Sequence, residues 1–260
     1  MTADIPRLDG RVAIVTGASR GIGRGLAIGL AELGASVVVA ARTEVAHTGA
    51  EAGTIHDTVA QIRDRGGEAI AQRCDIWNEA DIRALVDAAV DGFGGLDVLV
   101  NNAMTEVRAV FVDSTPEQWD DSMRVNVRSL YVSCKAVLEP MKARGGGSII
   151  NISSGAADPK ISAEVMPPGF FIYSVAKAAM EKFSTALATE FLPFNVAINA
   201  LRPGAVRTEH AERDLGPDHD WTGWGPPEGV VPAVAYLAAQ RSDGLTGKIV
   251  DSTQFGKTWP

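Results

Sequence analysis

Apolar residues in this chain follow two rhythms that alternate almost to its C-terminus. Short runs rich in valine, isoleucine and alanine occur at 12–15, 36–40, 68–74, 97–101, 148–152, 195–201 and 248–250. Continuous apolar runs of this kind fit strands buried on both faces. Between them, at 21–33, 55–65, 79–93, 116–144, 173–191 and 230–239, apolar positions recur at three- and four-residue intervals. That spacing predicts helices with one buried stripe. Gly66-Gly67 and Gly145-Gly146-Gly147 stop two of them, and Pro140 is expected to bend or divide the longest. The alternation, unbroken by a repeat, charge tract or linker, predicts one α/β domain over residues 1–260: a doubly wound parallel sheet covered by helices. A Gly/Thr-rich loop is expected at 43–54, and two longer irregular stretches at 153–172 and 203–229. Both longer stretches follow strands, which places them beside the crevice where open α/β sheets bind ligands.

Composition narrows the function. The 260 residues are 46% hydrophobic and 22% charged, enough for one sizeable core. A net charge of -8 argues against nucleic acid or an anionic membrane as partner. No apolar run approaches the ~20 residues of a membrane helix, and residues 1–9, with Asp4 and Arg7, do not read as a signal peptide. Cys74 and Cys134 are far apart, and His47, His56, His210 and His219 lack H-x-x-x-H spacing. Neither a disulfide framework nor a metal site is expected, and a reducing cytoplasm is the expected compartment.

The chemistry concentrates at a few positions. Tyr173 and Lys177 stand one helical turn apart on a shared face. A phenol titrates near pH ~10 and is a poor proton carrier at neutrality; a cation held beside it is expected to lower that value. Thr16-Gly17-Ala18-Ser19-Arg20-Gly21-Ile22-Gly23 follows the first strand and opens the first helix. A glycine turn there lets the backbone approach a pyrophosphate at the helix N-terminus; the alternative is a tight turn without a ligand.

Those two segments, with Asn101-Asn102-Ala103, Asn126, Ser153-Ser154 and Pro203-Gly204 in the same order, resemble the short-chain dehydrogenase/reductase family over essentially the whole chain. The resemblance implies a Rossmann-type fold, a nicotinamide cofactor, a small carbonyl or alcohol substrate and a homotetramer or homodimer. It implies that Tyr173 exchanges the proton with the substrate oxygen, Lys177 assists it and binds the nicotinamide ribose, Ser154 holds the substrate oxygen, and Asn126 holds a water that relays protons to Lys177. It places Gly17, Ser19, Arg20, Gly21, Ile22 and Gly23 against the cofactor. It also implies adenine contacts from Asp75 and Ile76, adenosine ribose contacts from Asn102 and Ala103, and carboxamide contacts from Val206 and Thr208 after Pro203-Gly204. The alternative for Asp75 is a turn-capping aspartate.

An acid at the end of the second strand would select NAD. Here that position reads Ala41-Arg42, so NADP is expected, with Arg42 and Arg20 on the 2'-phosphate; otherwise both are solvated surface arginines. Three further features are specific to this chain. Met104 replaces the glycine that the family carries after Asn-Asn-Ala. Ser154 lies nineteen positions before Tyr173, which implies a lengthened intervening loop. Ile161, Val165, Met166, Phe170, Phe171, Trp221 and Trp224 in the irregular stretches either line an apolar substrate pocket or pack the lid onto the body. His210 and His219 contact a polar substrate group or lie on the loop surface, and the resemblance assigns Trp259 to a subunit interface. The leading reading is an NADP(H)-dependent enzyme for a hydrophobic carbonyl or secondary alcohol. Alternatives are an NAD-dependent alcohol dehydrogenase of the same family and a catalytically silent NADP(H)-binding protein. An extended-family epimerase or dehydratase needs a longer chain.

Overall fold

Valine, isoleucine and alanine fill the central strands of the computed structural model, which describes residues 4–45, 53–161 and 166–260. Seven strands form one all-parallel sheet: β1 (Val12–Thr16), β2 (Ser36–Ala41), β3 (Ala69–Arg73), β4 (Val98–Asn101), β5 (Gly147–Ile152), β6 (Val196–Arg202) and β7 (Ile249–Asp251). Their spatial order is β3-β2-β1-β4-β5-β6-β7. The order reverses between β1 and β4, so the crevice opens above the C-terminal ends of those two strands. Val165 and residues 46–52 of the predicted 43–54 loop lie outside the described residues.

Eight α-helices cover the sheet among the described residues: α1 (Gly21–Glu32), α2 (Ile55–Asp64), α3 (Glu79–Phe93), α4 (Pro116–Met123), α5 (Ser129–Ala143), α6 (Phe171–Phe191), α7 (Glu209–Leu215) and α8 (Val231–Ala238). Strand alternation divides the core in two. Ala13, Val15, Val37 and Val39 pack with α1, α2 and α8, whereas Val12, Ile14, Val38 and Ala40 pack with α3, α5 and α6. No described helix is long and apolar enough to cross a membrane.

Two expectations change. The helix predicted over 116–144 is interrupted at residues Arg124–Arg128 by a wide π-turn rather than at Pro140, which lies inside α5. The stretch 203–229 contains α7, capped by Thr208, whose Oγ1 accepts from Ala211 N at 3.1 Å. Trp259 is engaged within its own chain: Nε1 donates to the Asp251 carbonyl at 2.8 Å, and the ring packs on Phe255.

Candidate active site

The turn between β1 and α1 accepts only glycine at two points. Gly17 has φ +67°, and a Cβ there would lie 2.9 Å from Ala103 Cα; one at Gly23 would lie 2.2 Å from the Gly17 carbonyl oxygen. Asn102 and Ala103 brace this turn: both backbone N–H groups donate to Thr16 Oγ1 at 3.0 Å, and Asn102 Nδ2 donates to the Thr16 carbonyl at 2.9 Å. Ser19 is buried, Arg20 is half-buried, and Ile22 packs against the core. The Gly21 N–H donates to Glu209 Oε2 at 3.0 Å, while Glu209 Oε1 accepts from Arg24 at 2.5 Å. A carboxylate therefore rests on the helix N-terminus, the position that favours an anion. The close-packed glycine cradle and its anion-receptive N–H fit a dinucleotide.

The other cofactor-end residues gather on the same sheet edge. Arg42 is exposed just beyond β2. Arg73, which sequence reasoning missed, ends β3 in register with Ala41 and pairs with Asp81 at 3.0 Å. Asp75 Oδ1 accepts from Trp77 N at 3.1 Å, the turn-capping role, and Ile76 packs partly against the core. Gly204 has φ +76°, and the Pro203 carbonyl accepts from Ser252 Oγ at 2.8 Å. Val206 is buried and pairs with Gly225, and Thr208 lies beside Gly21.

Tyr173, Lys177 and Ser154 gather past the end of β5. Tyr173 and Lys177 lie on the buried face of α6. Ser154, just past β5, faces the Tyr173 hydroxyl, and its Oγ accepts from Ala156 N at 3.1 Å. Ser153 turns away and donates to Glu181 at 2.8 Å. Lys177 Nζ donates to the Ile152 carbonyl at 2.7 Å and lies 5.7 Å from the Tyr173 ring centre. Asn126, buried in the π-turn, grips Thr105: its Oδ1 accepts from the Thr105 N–H at 3.1 Å and its Nδ2 donates to the Thr105 carbonyl at 2.8 Å. It thereby holds the chain that leaves β4 against α6.

The expected lowering of the Tyr173 pKa is not what this geometry produces. Burial outweighs the opposing influence of Ser154 and pushes the phenol up to about 12. Burial likewise lowers Lys177 to about 8, although the carboxylates of Glu106 and Glu181 oppose that shift. The ammonium reaches a backbone carbonyl rather than the phenol oxygen, so desolvation dominates.

A charged network at the cleft mouth was not legible in the sequence. Glu106, on the segment after β4, bonds to Arg108 Nε and lies 3.6 Å from His210 Nε2. Asp214 lies 3.4 Å from both His210 Nε2 and Arg108 Nη2. Ligand atoms of Glu106, His210 and Asp214 fall within 4.8 Å of one another. Arg213 Nη2 sits 2.8 Å from His210 Nδ1, so that nitrogen accepts and Nε2 carries the proton toward the carboxylates. With Arg108 and Arg213 already present, the cluster is an ion network that ties α7 to the β4 loop. Arg108 also stacks 4.5 Å above Phe170, which meets Tyr173 edge-on at 6.3 Å. Phe111 packs against Phe171 and is mostly exposed beside this wall. Met104 is 38% exposed, and its φ is not positive, so this backbone does not need the glycine it replaces. Trp221, Trp224 and His219 instead pack edge-to-face on one another at 4.7–5.4 Å, within the 203–229 stretch.

A family model described as short chain dehydrogenase matches residues 11–216. Gluconate 5-dehydrogenase of Gluconobacter oxydans is 32% identical, with 95% of this chain and 94% of that protein aligned. Cyclopentanol dehydrogenase of Comamonas testosteroni is 34% identical, over 80% of this chain and 78% of that one. Among solved structures, 7α-hydroxysteroid dehydrogenase complexed with NADH and 7-oxo glycochenodeoxycholic acid superposes with a TM-score of 0.82. It is 30% identical and covers 94% of this chain and 93% of its own.

Proposed function

The chain belongs to the short-chain dehydrogenase family, and from that premise we propose an NADP(H)-dependent oxidoreductase for a hydrophobic carbonyl or secondary alcohol. The observation that carries this reading is the buried pair of Tyr173 and Lys177, one helical turn apart, with Ser154 facing the phenol above the C-terminal ends of the strands. In it, the 17–23 turn, Asp75, Ile76, Asn102, Ala103, Pro203, Gly204, Val206 and Thr208 hold the dinucleotide, with Tyr173 and Lys177 at its nicotinamide end. The bound nicotinamide supplies the hydride or accepts it. Tyr173 Oη gives its proton to the carbonyl oxygen, and Ser154 Oγ donates a hydrogen bond to that same oxygen as charge develops there. A phenol held near 12 is protonated at neutral pH, which suits reduction; alcohol oxidation is expected to accelerate as pH rises. Phe170 and Met104 support an apolar substrate.

The preference for NADP rests on Arg42 and Arg20 and on the missing acid at the end of β2. A reading with NAD is kept by one observation, the NADH in the superposable hydroxysteroid enzyme. The test is a panel of cyclopentanol, gluconate and a 7α-hydroxysteroid, with their oxo forms, assayed with each cofactor. Tyr173→Phe is expected to lower turnover by roughly 10²- to 10⁴-fold while the melting temperature and NADPH affinity hold. Retained turnover would sink the assignment. Ala41→Asp with Arg42→Ile is expected to reverse the cofactor preference, measured as the ratio of kcat/KM for NADP to that for NAD. A wild type already favouring NAD would overturn the phosphate argument. The homodimer or homotetramer implied by the resemblance is checked by sedimentation.

A further inference from the structure

Glu181 lies on α6 one turn beyond Lys177 and is 4% exposed. A carboxylate buried so deeply is costly unless fully paired. Arg202 supplies two prongs, Nε to Oε1 at 2.7 Å and Nη2 to Oε2 at 2.9 Å, and Ser153 Oγ adds a third bond to Oε1 at 2.8 Å. The remaining prong of Arg202, Nη1, donates to Asp158 Oδ2 at 2.7 Å.

Each partner adjoins a different part of the site. Ser153 precedes Ser154, and its N–H donates to the Leu201 carbonyl at 2.7 Å. Asp158 closes the turn that begins after Ser154. Arg202 precedes Pro203-Gly204, and Glu181 shares its helix with Tyr173 and Lys177. Two segments, at Ser153 and Arg202, thus meet the Glu181 carboxylate, Arg202 carries the contact on to Asp158, and the Glu181 charge acts on the Lys177 ammonium one turn away.

We propose that Glu181 is a positioning residue: its pair with Arg202 sets the spacing among Ser154, Lys177 and the Pro203–Gly204 turn, and its charge balances Arg202 behind Lys177. The proposal rests on the roles given above to Tyr173, Lys177 and Ser154. The charged groups that act on Lys177 are Glu181 on its own helix and Glu106 from the segment after β4; Glu106 and Arg108 act on Tyr173, and Arg202 from β6 and Asp158 from the turn pair behind Glu181. Removing the Glu181 charge leaves this set more positive, so the Tyr173–Lys177 couple releases its protons at lower pH. A pair with only a stabilising role would not move that titration.

The test uses the full chain with NADP and whichever alcohol of the panel the wild type oxidises fastest. It compares Glu181→Gln, Glu181→Asp and Tyr173→Phe for kcat and KM across pH, with melting temperature and NADPH affinity in parallel. Glu181→Gln is expected to lower kcat on the order of 10- to 100-fold. Its pH profile should move to lower pH, with NADPH affinity changed less than kcat. Glu181→Asp keeps the charge and loses reach, so its profile should stay at the wild-type pH while kcat remains reduced. Wild-type kcat and profile in the Gln variant, or activity lost only in proportion to folded protein with the profile unmoved, overturns the proposal. If the Gln variant does not fold, wild-type kcat in the Asp variant overturns it equally. Turnover surviving in Tyr173→Phe is a separate outcome that removes the underlying assignment of Tyr173.

Discussion

Asp97 and Glu181 are both buried carboxylates that bind arginine, one at each end of the sheet, and they serve different ends. Asp97 lies just before β4, at the N-terminal edge. It accepts from Val12 N and from Arg144 Nη2, each at 2.9 Å, with Arg241 at 3.5 Å and Arg11 at 3.7 Å. These partners come from the start of β1, the end of α5 and the segment after α8, none of which carries a proposed site residue. Glu181 has one arginine, but its partners adjoin Ser154 and Pro203-Gly204. The same chemistry fastens the fold at one edge and arranges reacting groups at the other, because in a doubly wound sheet the loops that meet ligands leave the C-terminal strand ends.

The comparison breaks most readily at Asp97. Asp97→Ala strands several arginines around a buried void and is expected to cost about 3–5 kcal/mol in urea unfolding, with kcat of the folded fraction unchanged. A matching fall in kcat would mean that the two edges are not separate.

Alkaline stability sharpens the contrast at the other edge. Lys177 titrates near 8 when folded against 10.5 for an ordinary lysine. Between those values the unfolded chain binds the extra proton, so folded stability rises with pH across that window. Tyr173 works in the opposite sense: its value moves from 10.0 to about 12, so above 10 the folded chain holds the extra proton and stability falls. Lys177→Met is expected to erase the rise between pH 8 and 10.5 in urea midpoints. An unchanged slope in that variant would assign the rise to another group.

The smallest effect concerns the anion already resting on α1. Glu209→Gln weakens a contact that competes with the cofactor pyrophosphate, so NADPH is expected to bind about two- to fivefold tighter by fluorescence titration. Weaker binding would show that Glu209 helps to shape the site rather than occupying it.

Much of this was written along the chain. The strands declared themselves through continuous valine and isoleucine, and the glycine turn, Asn126, Ser154, Tyr173 and Lys177 could be named before any coordinates. What escaped depended on contacts between distant segments. Glu181 reads in sequence as one more acid on an amphipathic helix; only folding shows that it faces inward to Arg202. Helix α7, seven residues with five of them charged or histidine, has no apolar stripe to betray it. The network of Glu106, Arg108, His210 and Asp214 joins positions a hundred residues apart. Spacing tells which groups share a face but not how dry that face is, so the direction of the Tyr173 shift is fixed only by the fold.

The π-turn at Arg124–Arg128 has a geometric consequence. Each residue advances an α-helix by about 100°, so one surplus residue in a turn sets the two flanking helices out of phase by about that angle. The stripe of α4 and the stripe of α5 therefore aim in different directions although their backbones run on without a loop. Asn126 sits at the seam, where it faces inward toward Thr105 while Cys134 packs in the core with the sheet. Shortening this seam by one residue would rewind the phase and swing the whole of α5, so its length is a constraint as strict as the identity of its asparagine.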